Sequence, residues 1–322
     1  MDENMDLPEM METEKRLKFY LAPLEGITGC IFRNAVRDYF GDGIDKYFTP
    51  FFAPHTKRKM NSREIRDILP EHNEGIFLVP QILTDSAPDF LKWEKEMRDF
   101  GYGELNINLG CPSNTVVPKG RGAGFLIRIP ELKHFLDQVF EKTEAKVSVK
   151  TRLGMQDPEE FFELLEIYNR YPMEELIIHP RIRTEMYSGE VHKEIFNFAK
   201  EHSSNTLCYN GDIRKPEDIR GIGDGPVASV MVGRGMVRDP SAIRQMTGGE
   251  PASREELQDF LERLLTDYMD YNSGETPVLH KMKEIWAYME DLFPENAAVK
   301  KIFRADRISG YRAAVREVFR GK

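Results

Sequence analysis

The chain has 322 residues, enough to bury one large core or a large and a small one, and its 40% hydrophobic and 31% charged residues describe an ordinary globular protein. No apolar run approaches the roughly 20 residues of a membrane span, and the acidic residues 1–14 lack the basic start and apolar middle of a signal peptide. Cys30, Cys111 and Cys208 form neither a zinc pattern nor a disulfide framework, so no metal is expected, and the cytoplasm is the expected compartment. A net charge of −9 alone argues against a nucleic-acid partner, but the charge is unevenly spread. Residues 300–322 hold eight Lys or Arg against two acids.

In chain order, short β-rich runs are expected at 18–22, 45–49, 76–81, 104–108, 146–150, 175–179, 206–210 and 228–233. Helical patterns at 84–100 and 130–140 fill the gaps, and Asp157, Pro158 and Glu160 read as the N-cap, first position and capping-box acid of a helix over 161–168. Eight strands alternating with helices imply parallel βα units and a (β/α)8 TIM barrel. An open doubly wound sheet would call for a GxGxxG turn after the first strand, where this chain has Ala22-Pro23-Leu24-Glu25-Gly26. Gly248, Gly249 and Pro251 mark a linker. Ser253 and Glu256 then cap a purely helical region with segments at 257–268, 278–289, 297–303 and 311–319. The expected organisation is an acidic extension (1–16), a barrel (17–245) and a small helical bundle (253–322).

Barrel enzymes place their chemistry at the C-terminal ends of the strands. Here those ends carry Ala22-Pro23-Leu24, Gln81, Asn108 with Cys111, Lys150 with Arg152, His179 with Arg181, Asn210-Gly211-Asp212 and Gly233-Arg234. Each has a plain structural explanation alone, such as turn chemistry or a satisfied histidine. Independent turns would not collect amide, ammonium, imidazole and guanidinium groups on one rim. Glycine turns after the last two strands, backed by an arginine, suit a phosphate. Gln81, Lys150 and His179 would face a flat polar ring, and the pair of features describes FMN. Cys111, on a loop just past a strand, is the candidate reactive thiol, while Cys30 and Cys208 read as structural.

These segments resemble the tRNA-dihydrouridine synthase family. The matching stretches are Ala22 to Thr28 with Phe32-Arg33, Asn108 to Pro112 with Gly122 to Leu126, Val149 to Gly154, His179 with Arg181 and Tyr187-Ser188-Gly189, Asn210-Gly211-Asp212, and Val230 to Gly235. The helical tail, with Lys283, Trp286 and Tyr288, resembles the family's RNA-binding domain, and the Pro-Leu-Glu-Gly opening looks most like its bacterial C-type branch. The resemblance implies an FMN enzyme, driven by NADPH, that reduces the C5–C6 bond of a tRNA uridine. Hydride would pass from FMN N5 to C6, and Cys111 would protonate C5. Ala22, Pro23 and Leu24 would line the flavin, Gln81, Lys150 and His179 would hold its ring, and Asn210, Gly211, Asp212, Gly233 and Arg234 its phosphate end. Asn108, Arg152 and Arg181 would meet the flipped base or a phosphate. A monomer acting on tRNA is expected, with no membrane partner. The rival readings are an FMN barrel acting on a free pyrimidine or other small enone, and a flavin-free RNA-binding module. Gly29 departs from the family pattern by replacing a usual acid, Pro180 and Ile182 replace small and hydroxyl residues, and His192 falls near a usual Asp-Trp pair.

Overall fold

A computed structural model describes residues 16–54, 59–223, 225–294 and 296–320. The acidic extension up to residue 15 and the terminal Lys322 lie outside the described residues.

Nine strands form one all-parallel sheet: β1 (Lys18–Leu21), β2 (Lys46–Phe48), β3 (Leu78–Val79), β4 (Gln81–Ile82), β5 (Glu104–Leu109), β6 (Lys146–Arg152), β7 (Leu176–His179), β8 (Leu207–Tyr209) and β9 (Val227–Val232). Their order is β3-β2-β1-β9-β8-β7-β6-β5-β4. The two edges of this sheet are halves of a single run, separated by Pro80. Proline has no N–H for a ladder, so the run changes partner there. Leu78 and Val79 pair with β2, whereas Gln81 and Ile82 pair with β5. The Asn106 amide donates to the Pro80 carbonyl at 2.9 Å, bringing the edges together. The expected TIM barrel is present, with its eight strand positions carried by nine strands.

Alternation of side chains along each strand divides the interior from the outer shell. On β5, Leu105, Ile107 and Leu109 are fully buried in the main core, which lies between the strands and the surrounding helices. Tyr20, Ala22, Phe48, Val79, Ile177, Cys208 and Met231 form a second cluster. At the N-terminal strand ends, Lys46 Nζ bonds both Glu104 oxygens at 2.9 and 2.8 Å. Glu175 accepts from Tyr20 and Ser229 at 2.8 and 2.7 Å. This charged floor has no local sequence motif, unlike the opposite strand ends. Cys208 is fully buried on β8, as expected.

The helix expected over 161–168 starts at Glu160. Asp157 holds the Glu159 amide, while the Glu160 carboxylate takes the amides of Met155, Gln156 and Asp157. Asp157 and Glu160 thus bind the backbone amides of the turn that leads into the helix, but the N-cap position falls at Glu159 rather than Asp157, and its side chain makes no capping bond. The Ser253–Glu256 capping box forms as expected and opens helix Arg254–Tyr271.

Helices Arg254–Tyr271, Glu275–Met289, Val299–Arg304 and Ile308–Arg320 make up the C-terminal helical bundle. Trp286 is part of its core, donating to the Tyr311 hydroxyl at 2.9 Å. Phe260 meets Phe32, Tyr39 and Phe40 edge-on at centroid distances of 6.1, 6.2 and 5.4 Å, so one continuous core joins the bundle to helix Cys30–Phe40 of the barrel. Phe260→Ala should therefore cost about 3–5 kcal/mol. Thermal unfolding should show one cooperative transition displaced to lower temperature. A bundle that melts separately, leaving the barrel transition in place, would contradict the shared core.

Candidate active site

The C-terminal strand ends open into one cavity of about 940 Å³ counted to its mouth. Ala22, Pro23, Leu24, Gln81, Asn108, Cys111, Lys150, Arg152, His179, Asn210, Gly211, Asp212, Gly233 and Arg234 all line it. Of the residues singled out in the sequence, Arg181 alone is absent from the wall. It is fully buried behind it.

The thiol loop is tied to the barrel interior through amides. Asn106 Nδ2 donates to Ser148 Oγ at 2.9 Å, Gln81 Nε2 to Asn106 Oδ1 at 2.8 Å, and Asn108 Nδ2 to Gln81 Oε1 at 2.7 Å. Asn108 Oδ1 then accepts the amides of Gly110 and Cys111 at 3.1 and 2.9 Å. Asn108, expected to meet substrate, therefore also fixes the backbone that carries Cys111. Gly122 presses on the same loop. It has φ +56°, and a Cβ there would lie 2.7 Å from the Cys111 carbonyl. Glycine is needed for both the backbone angle and the close approach.

Cations crowd the other side. Burial, reinforced by the charge of Arg152, pulls the Lys150 pKa down to about 8, and among the described residues no carboxylate pairs with it. Arg152 donates to the carbonyls of Gly110 and Ile182 at 2.9 and 3.1 Å. Arg181 Nη1 lies 3.1 Å from His179 Nε2. A guanidinium can only donate, so Nε2 must accept, and His179 is the neutral tautomer with its proton on Nδ1. Burial and the charges of Arg152, Lys150, Arg181 and Arg234 agree, holding His179 well below the usual histidine range. Arg181 also donates to the carbonyls of Ser188 and Gly189 and pairs with Asp212. It shapes the wall from behind, because its donors are already engaged.

Asp212 sits at φ 47°, a backbone region uncommon for a non-glycine residue. Partial burial raises its pKa, but the hydrogen bond and charge of Arg181, with Arg234, hold it below the usual carboxylate range. Its Oδ1 accepts from Arg234 at 2.8 Å, anchoring that arginine beside Gly233. A Cβ at Gly235 would stand 2.2 Å from the Ile213 carbonyl, so the two glycine-bearing turns are packed backbone to backbone. Unpaired Lys150, donor His179, the Gln81 amide and Arg234 at a glycine turn make a donor set suited to a flat, acceptor-rich, anionic ligand.

Comparison with known proteins gives this arrangement its context. A family model described as "Dihydrouridine synthase (Dus)" matches residues 20–310. The chain belongs to the dihydrouridine synthase family. "Probable tRNA-dihydrouridine synthase 2" of Bacillus subtilis (strain 168) is 31% identical over 268 residues, covering 80% of each chain. "Probable tRNA-dihydrouridine synthase" of Staphylococcus epidermidis (strain ATCC 12228 / FDA PCI 1200) is 30% identical over 268 residues, covering 80% of this chain and 79% of its own. Among solved structures, the old yellow enzyme from Trypanosoma cruzi aligns with a TM-score of 0.55 at 10% identity, over 80% of this chain and 95% of that one. A morphinone reductase mutant in complex with tetrahydroNAD aligns at 0.53 and 10% identity, over 74% and 88%. At such identity these two share the fold.

Within the dihydrouridine synthase frame, the missing acid at Gly29 has a local counterpart. Asp67, on helix Ser62–Ile68, accepts the Cys30 amide at 2.5 Å, and its Oδ1 lies 3.2 Å from where a Gly29 Cβ would be. The carboxylate caps helix Cys30–Phe40 from a different element. Tyr187, at the wall and 46% exposed, was matched in the sequence but given no role. Its ring stacks near His179 at 6.1 Å and lies under the guanidinium groups of Arg152 and Arg234, at 5.2 and 4.7 Å. Asn106, absent from the expected site, lies inside the barrel below the strand-end rim. Its inward parity with Asn108 was the available signal.

Burial pushes the Cys111 thiol up, outweighing the opposing charges of Arg152 and Lys150. A raised thiol pKa keeps the proton on sulfur at neutral pH, which suits an acid rather than a nucleophile. Alkylation by iodoacetamide, followed by peptide mapping of Cys111, should be slow at about pH 7 and still rising past about pH 9. A rate already maximal near neutrality would refute the protonated thiol.

Proposed function

We propose that this protein reduces a uridine in tRNA to 5,6-dihydrouridine, with FMN as its cofactor and NADPH as the reductant. The observation that carries the reading is one cavity lined by the Cys111 thiol, by Lys150 with no carboxylate partner among the described residues, and by His179 with Arg181 at its Nε2. FMN, bound and reduced, would supply the hydride that C6 of the uracil ring takes up. Cys111 donates the accompanying proton to C5, so the double bond gains one hydride and one proton. Lys150, Gln81 and His179 Nδ1–H would hold the ring of the cofactor, and Ala22, Pro23 and Leu24 would line it. Asn210, Gly211, Gly233 and Arg234 would receive its phosphate end, with Asp212 restraining Arg234. Asn108 positions the Cys111 loop and meets the base. Arg152 and Tyr187 stand where a flipped pyrimidine would enter. Arg181 is a positioning residue in this scheme, setting the His179 tautomer.

Residues 17–245 serve as the catalytic unit and 253–322 as the tRNA-binding unit. Lys300, Arg304, Arg307, Arg316 and Arg320 are exposed and form no ion pair with a described residue, whereas Lys301 and Arg312 pair with Glu317 and Glu262. Unpaired cations on one terminal segment are what phosphate contacts require, despite the acidic chain. They favour tRNA over a free pyrimidine. Among the described residues no helix is long and apolar enough to cross a membrane. We assign the protein to the cytoplasm as a monomer.

Mapping of dihydrouridine in tRNA from cells lacking the gene should show one or more missing sites, restored by the wild-type gene. Cys111→Ala should leave FMN bound yet fail to restore them. Full restoration by that variant would remove the proton-donor role. Affinity for tRNA should fall steeply with salt, and Arg304→Glu with Arg316→Glu should lower the slope of log affinity against log salt by about one to two. An unchanged slope would exclude this segment as the contact.

A further inference from the structure

A second cavity, about 870 Å³ to its mouth, lies beside the first. Residues 25–31 and 50–52, helix Ser62–Ile68 and helices Arg254–Tyr271 and Glu275–Met289 enclose it. Glu25 and Phe51 belong to both walls, so the two spaces adjoin. Lys281 Nζ donates to the Gly26 carbonyl at 2.6 Å, pinning the divider to the helical bundle. Hydride and proton delivery to uracil use nothing in this second space.

Its wall nevertheless presents uncommitted polar groups. Tyr268 is only 7% exposed, lines the cavity, and its hydroxyl makes no hydrogen bond with a described residue. Burial pushes that phenol up, so it remains an O–H donor. The Arg63 guanidinium and the Glu25 carboxylate also line the cavity without an ion pair to a described residue. Asp67 is already committed to Cys30 and Arg33. Tyr271 offers a ring backed by the Arg66 guanidinium, 4.5 Å from its centroid.

Flat aromatic walls with both donors and acceptors suit the edge and face of a nucleobase. Carboxylates at Glu25, Glu64 and Asp67 oppose a phosphate. A carboxylate acceptor selects an N–H edge, and guanine, adenine and cytosine present one on an exocyclic amino group, whereas uracil has only its ring N3–H. We propose that this cavity is a subsite for the base of a nucleotide neighbouring the reacting uridine, a base whose amino group is accepted by Glu25, whose ring stacks on Tyr271 and whose acceptor takes the Tyr268 hydroxyl. The proposal rests on the tRNA reading above and specifies which part of the RNA fills the space between barrel and bundle.

The test uses the full-length FMN-loaded protein and unmodified tRNA transcripts in which each nucleotide flanking the target uridine is made abasic in turn. Dihydrouridine formation gives kcat/KM, and reduction of the flavin by NADPH without tRNA gives an independent rate. Tyr271→Ala should lower kcat/KM for intact tRNA by about tenfold or more, in keeping with one lost stacking contact. Tyr268→Phe, which keeps the ring, should lower it less. Both should leave flavin reduction within about twofold of wild type. One abasic position should reduce wild-type kcat/KM by a similar factor but cost Tyr271→Ala almost nothing further. Equal abasic penalties in wild type and variant would overturn the subsite. So would a raised KM for NADPH with tRNA kinetics unmoved, which would give the cavity to the reductant. Absence of dihydrouridine from the wild-type protein on every transcript would instead overturn the tRNA reading, and the subsite with it.

Discussion

The side-chain amide of Asn108 links every part of the proposed chemistry. Its nitrogen donates to Gln81 inside the cavity, and its oxygen holds the amides of Gly110 and Cys111 on the loop above. One residue therefore sets the height of the thiol over the cavity. Its position follows from the barrel. On a parallel strand every second residue faces inward, and Asn106 and Asn108 are two steps of that repeat, paired in register with Ser148 and Lys150 on the next strand. The chain of amides is thereby anchored in the barrel interior rather than in a loop. Preorganisation of this kind keeps a reacting group within the narrow geometric tolerance that catalysis needs.

Electrostatics supplies the second constraint. The chain is acidic as a whole, yet Lys150, Arg152, Arg181 and Arg234 converge around one imidazole. Such crowding is unfavourable without an anion, and it forces His179 to be neutral. The three arginines are held by carbonyls or by Asp212, whereas Lys150 makes no hydrogen bond or ion pair with a described residue. A bound anionic ring and phosphate would offset this concentration of positive charge.

Much of this was legible in the sequence because barrels write their chemistry at predictable places. Each expected strand exists within a residue or two, and every wall residue named from the sequence except Arg181 meets the cavity. The exceptions have local causes. Pro80 splits one strand into two because it lacks a donor, which a propensity count cannot resolve. Arg181 points away because the carbonyls of Ser188 and Gly189, on a later loop, capture it. The floor formed by Lys46, Glu104 and Glu175 joins three distant strands, a coincidence in space with no local signature. Asp67 stands in for the acid absent at Gly29 from a helix 37 residues beyond the amide it caps, again beyond the reach of a motif.

The most direct test is a single turnover. Protein with stoichiometric FMN is reduced anaerobically by NADPH, freed of excess nucleotide and mixed with an unmodified tRNA transcript. Flavin reoxidation should follow tRNA addition and yield one dihydrouridine per flavin oxidised. Flavin that stays reduced until oxygen is admitted, with every uridine intact, would contradict the account.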